Sequence, residues 1–174
     1  MKNYLFKLKI LLFLVGLFFF SSTLFCQKIR RFDAAFIDSS NSENPYSFQD
    51  LSRGFVPTTY LKQGIPSNIN IQNQSVRVIT DLETLHQLYI QSTNFSNVAL
   101  ILIQIEDESN LNWTLNINSL NQFTNLKYLY FSFSFELCTA QNSNEFCIKE
   151  YINSHIDGEF STPILIVYSS EVNE

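Results

Sequence analysis

From Ser75 onward, unbroken apolar runs alternate with segments whose apolar residues recur every three or four positions. Val76–Ile79 is a short β-rich run. Thr80 can then cap a helix with Glu83 three positions on, the order of a capping box. Leu82, Leu85, Leu88 and Tyr89 share one helical face. Residues 97–106, NVALILIQIE, read as a strand buried on both sides, as parallel strands under helices are. Residues 107–110 form a turn. Segment 111–123 is divided: Trp113, Leu115 and Ile117 alternate like a strand, and Leu120 and Phe123 make a helical step. Leu126–Phe135 is a second strong strand. Glu145–Ile156 carries the stripe Ile148, Tyr151, Ile152, His155 and Ile156, with Gly158 placed to end the helix. Pro163 opens a final strand, ILIVYSS.

Strands alternating with helices imply crossover units. The expected fold is α/β: a parallel sheet of about four strands with crossover helices, either solenoid-like or a small open sheet. Residues 76–174 form this repeat-like domain. Residues 27–75 lack periodicity, and Pro57, Gly64 and Pro66 interrupt any regular element there. They read as an irregular N-terminal arm, with short strands at Phe32–Ile37 and Asn68–Ile71.

The first 26 residues read differently again. Lys2, Lys7 and Lys9 precede an 11-residue apolar run, Ile10–Phe20, and Ser21, Ser22 and Thr23 follow. This is the order of a secretory signal peptide, cleaved after Cys26. Two alternatives stay open: an uncleaved anchor over residues 8–26, or a lipidated Cys26. The chain is thus expected to be exported, periplasmic or secreted, touching a membrane only through this segment if it is retained.

Without residues 1–26, eight basic residues face 16 acidic ones, a net charge of −8. That excludes a phosphate-binding nucleic-acid partner. Two cysteines remain, Cys138 and Cys147, and an even count in an exported chain predicts a disulfide. Neither His86 nor His155 has ligand spacing to these thiols, so no metal and no cofactor is expected. Asn73, Asn94 and Asn112 head glycosylation acceptor triplets, expected by chance in an Asn-rich chain.

Strand starts near 76, 98, 126 and 163 are 22, 28 and 37 residues apart. Leucine-rich repeats run about 20–29 residues. SLNQFTNLKYLYF, Ser119–Phe131, resembles one rung of that family, with Leu120 and Phe123 on the convex side and Leu126, Leu129 and Phe131 on the strand. DLETLHQLYIQSTN, residues 81–94, is a weaker echo. The resemblance implies a non-catalytic protein-recognition scaffold.

Alternation assigns faces. Leu129, Phe131, Phe133 and Phe135 point one way, and Tyr128, Tyr130, Ser132 and Ser134 the other. Gln104 and Glu106 end the matching face of the preceding strand. Ligands of parallel sheets usually sit at the strands' C-terminal ends, so Gln104, Glu106, Tyr128, Tyr130, Ser132 and Ser134 form the expected binding patch. Both faces covered, with the tyrosine rings in the core, is the competing expectation. Enzyme signatures are missing: the chain has no Gly-rich phosphate loop and no Gly-x-Ser-x-Gly, and Glu106, Asp107 and Glu108 read as a solvated turn. The expected function is a non-catalytic interaction or structural module of the bacterial cell envelope, its partner another envelope or extracellular protein. The alternative is a small exported α/β hydrolase or ligand-binding protein.

Overall fold

A computed structural model describes residues 28–38, 47–61, 75–90, 95–138, 145–160 and 162–170. The leader, the expected strand at 68–71, and Asn73 and Asn94 lie outside these. Six strands form one sheet: β1 (Ile29–Arg31), β2 (Thr58–Leu61), β3 (Arg77–Asp81), β4 (Leu100–Ile105), β6 (Tyr128–Phe133) and β8 (Leu165–Ser170). Their order is β1-β8-β6-β4-β3-β2, and every pairing is parallel. A second small parallel pair joins β5 (Leu115–Asn116) to β7 (Ile156–Asp157). The fold is therefore an open α/β sheet, with β3, β4, β6 and β8 where the apolar runs placed them.

The stretch read as an irregular arm supplies the two outer strands of the sheet. Between them lie α1 (Phe32–Asp38), where a strand was expected, and α2 (Phe48–Arg53). Ser47 caps α2: its hydroxyl accepts from the Asp50 amide at 3.2 Å, and the Asp50 carboxylate reaches back to the Ser47 amide. That reciprocal pair stabilises even a six-residue helix. Gly54 ends it at φ 88°. A Cβ there would lie 2.9 Å from an Arg77 nitrogen, so both the backbone angle and the space call for glycine.

The helix expected from Thr80 is instead a turn followed by a 3-10 segment, Leu85–Tyr89. Thr80 remains in β3. The Asp81 carboxylate accepts from the Thr84 amide at 2.8 Å and from its hydroxyl at 2.6 Å. This local bonding closes the turn before an α-helix can begin. Segment 111–123 holds both of its expected halves, β5 followed by a 3-10 turn at Ile117–Ser119. The helix α3 (Glu145–Ser154) buries Ile148 and Ile152, and Gly158 adopts φ 96° beyond it.

Two apolar layers sandwich the sheet. On one face Ile101, Ile103, Ile105, Leu129, Phe131 and Phe133 pack beneath Leu88, Trp113, Leu120 and Ile152. On the other, Leu100, Tyr128 and Val167 pack beneath Ala35, Phe48 and Leu51 of α1 and α2. Each large side chain fully buried contributes roughly 1.5–3 kcal/mol. The connections after β3, β4 and β6 run over the first face, and that leaving β1 runs over the second.

Candidate binding site

Tyr128 and Tyr130 lie on the face opposite Leu129, Phe131 and Phe133, and the six expected residues do not share an open surface. Tyr128 is 7% exposed, its ring 5.2 Å from Phe48. Tyr130 is half-buried against Phe32 and Phe48, with centroids 5.5 and 6.0 Å away. The N-terminal helices cover these rings because the chain crosses this face to carry β1 and β2 to opposite edges. What remains is a narrow polar strip: the Tyr130 hydroxyl lies 2.8 Å from Ser169 Oγ, and Ser169 donates weakly to Ser132 at 3.5 Å. Gln104 lies in register with Ser132, and its buried amide oxygen has no hydrogen-bond partner among the described residues. Glu106 and Ser134 are exposed beyond the strand ends.

The histidines are occupied structurally. His155 Nε2 faces the Leu111 carbonyl at 3.0 Å and Nδ1 faces the Tyr151 carbonyl at 2.8 Å. Its ring lies 4.2 Å from Tyr151 and 4.8 Å from Trp113. Tyr151 in turn donates to the Leu111 carbonyl and accepts from the Trp113 indole, both at 3.2 Å. Burial pushes the Tyr151 phenol above its ordinary pKa, and the Trp113 contact opposes this. His86 is exposed, with Nδ1 3.0 Å from the Glu83 carbonyl. Among the described residues no group of three or more His, Cys, Asp or Glu is placed to hold a metal ion.

A cavity of about 360 Å³ opens at the C-terminal ends of β1 and β8. Arg31 closes β1, and Asp33 and Ala34 open α1 on one side. Glu136 and Cys138, from the exit of β6, with Glu145 and Ile148 of α3, form the other. Tyr168 and Ser170 of β8 lie between. Here the chain leaves β1 over one face and leaves β6 over the other, with β8 between them. Such divergence opens a crevice at the carboxyl ends of a parallel sheet, the usual ligand position in this class. A second cavity, about 340 Å³ between Leu120, Phe123, Phe160 and Ile164, lies at the opposite ends of β6 and β8 and lacks that arrangement.

The Cys138–Cys147 disulfide ties the β6 exit to α3, with Cα atoms 6.5 Å apart. A structural disulfide is the mark of an oxidising compartment. Among the described residues no helix is long and apolar enough to cross a membrane.

Tyr168 is 2% exposed. Burial first, then the charge of Glu145, pushes its pKa from 10.0 up to about 12, and Arg31 opposes this. The fold thus favours protonated Tyr168. That contribution is whole below the unfolded value and is lost as pH rises through the folded one. It amounts to roughly 2–3 kcal/mol. Thermal melts followed by circular dichroism between pH 10 and 12 should show the wild type losing stability more steeply than Tyr168→Phe. Parallel curves would rule this contribution out.

Fold and cavity together define an open parallel α/β protein with a crevice at its strand ends. Set against models of known protein families, curated proteins and solved structures, the chain matches none.

Proposed function

We propose that this chain is an exported, non-catalytic binding module that takes its ligand in the cavity between β1, β8 and α3. The observation that carries this reading is the divergence of the β1 and β6 connections to opposite faces around that cavity. Its volume lies at the lower end of small-molecule sites, about 300–1,000 Å³, so the ligand is a small molecule or one protruding group of a larger partner. The covered tyrosines argue against recognition through that face of the sheet. A hydrolase would need a nucleophile paired with a base. The Ser154 hydroxyl lies 3.0 Å from His155 Nδ1, but it donates to the Tyr151 carbonyl at 2.7 Å, both His155 ring nitrogens face main-chain carbonyls, and neither residue lines the cavity. The signal-like leader and the disulfide together support action outside the cytoplasm, in the cell envelope or beyond it.

A fragment screen on the isotopically labelled chain, followed by amide shifts in NMR, tests the site. Shifts should concentrate at Ala34, Cys138, Ile148 and Ser170. Shifts centred on Tyr128 and Tyr130, or on the opposite cavity near Phe123 and Phe160, would reject it.

A further inference from the structure

We infer that the cavity at the ends of β1 and β8 accepts a single positive charge on a short apolar stem, an alkylammonium or alkylguanidinium group. The inference rests on this cavity being the binding site. It begins from a repeated pattern: Glu136-Leu137-Cys138 and Glu145-Phe146-Cys147 each place a glutamate two residues before a half-cystine. The disulfide brings the two copies together, and both carboxylates line the same cavity.

The charges around it do not cancel. Arg31 pairs with Asp33 at 3.4 Å, and Lys149 pairs with Glu145 at 3.3 Å. Tyr168 lines the same cavity as Glu145. Glu145 lies in the first turn of α3, where the helix dipole favours a carboxylate, so the anion preference of that helix end is already answered. Glu136 is the remainder. It is half-buried and makes no ion pair or hydrogen bond among the described residues. A carboxylate without a partner among the described residues is open to a cationic donor, and such charge-assisted bonds are the strong ones. One uncompensated carboxylate calls for one positive charge.

The rest of the cavity sets the shape. Ala34, Ile148 and Cys138 supply an apolar wall beside the charge. Methylenes can lie on such a wall while the charged head meets polar groups. An anion would meet Asp33, Glu136 and Glu145 against Arg31 alone among the charged lining residues. The same chemistry is offered by a free amine and by a lysine side chain of a partner protein.

Butylammonium, butylguanidinium, butanol, butyrate and N-acetyl-lysine methylamide, each titrated into the full labelled chain, test the assignment. The two butyl cations should shift the Ala34, Cys138, Ile148 and Ser170 amides, and added salt should weaken them. Glu136→Gln should reduce their affinity at least roughly tenfold, with an unchanged melting temperature confirming the fold. Reducing the disulfide should weaken binding by separating the two walls. A lysine derivative binding more tightly than butylammonium identifies a protein side chain as the source, and the reverse order identifies a free amine. Butyrate or butanol shifting the same amides as strongly, or Glu136→Gln binding undiminished, would overturn the charge assignment and leave the site standing. If calcium alone shifted these amides, the site would hold a metal rather than an organic cation. Shifts elsewhere, or none with any probe, would overturn the site together with the charge.

Discussion

Phe131→Ala lowers the stability of the folded chain by about 3–5 kcal/mol. Phe131 is fully buried in β6, a central strand of the sheet. Its ring stacks on Trp113 with centroids 5.4 Å apart, and its backbone lies in register between Ile103 and Tyr168. Truncation removes the ring's transfer energy and leaves a void that strands held on both sides cannot close. Trp113 is also bonded to Tyr151, so the loss reaches the contact between loop 111–114 and α3. Urea denaturation should show a lower midpoint with an unchanged slope. A loss below about 1 kcal/mol would mean that this ring is not in the core.

Arg77→Met destabilises by about 2–4 kcal/mol, although methionine suits a buried position. Arg77 is 5% exposed in β3. Its guanidinium donates to the Leu51 and Ser52 carbonyls at 3.0 and 3.3 Å, and to the Thr58 hydroxyl at 3.0 Å. It thereby answers the last carbonyls of α2 and the start of β2 at once, with a positive charge at a helix C-terminus. Burial lowers its pKa and Tyr60 opposes this, but a guanidinium remains charged. Methionine would take this donor from the buried Leu51 carbonyl and from two partly buried acceptors, the Ser52 carbonyl and the Thr58 hydroxyl. Arg77→Lys should recover less than half of the loss, because one ammonium cannot span the same fork. Hydrogen exchange should show α2 opening more readily in both variants. Protection of α2 equal to wild type in Arg77→Met would contradict this role.

The central strands were legible because strands covered on both faces need continuous apolar runs. NVALILIQIE and the stretch Leu126–Phe135 leave no helical reading of comparable strength. The outer strands were not legible. β1 and β2 have three and four residues, and each pairs on one side only, so neither needs such a run. A local signal for α2 was nevertheless present: Ser47, Asp50 and Gly54 are the cap, the box partner and the C-terminal glycine of a short helix. The pairing of β1 with β8 joins residues far apart in the chain and leaves no local mark. The tyrosine face shows the same limit, since alternation assigns a side chain to a face but not to what lies above it. The cavity depends on that distant pairing, so its position could not be read directly. Its two glutamates, each two residues before a cysteine, were in view throughout.

The account stands most directly on β1 lying beside β8, since this pairing makes the crevice. Inter-strand nuclear Overhauser effects on the labelled chain measure it. Contacts in parallel register linking Ile29, Arg30 and Arg31 to Ile166, Val167 and Tyr168 are expected, with the Ile166 amide protected by its bond to the Lys28 carbonyl. Contacts placing residues 29–31 against another strand, or antiparallel to β8, would contradict the fold and remove the site.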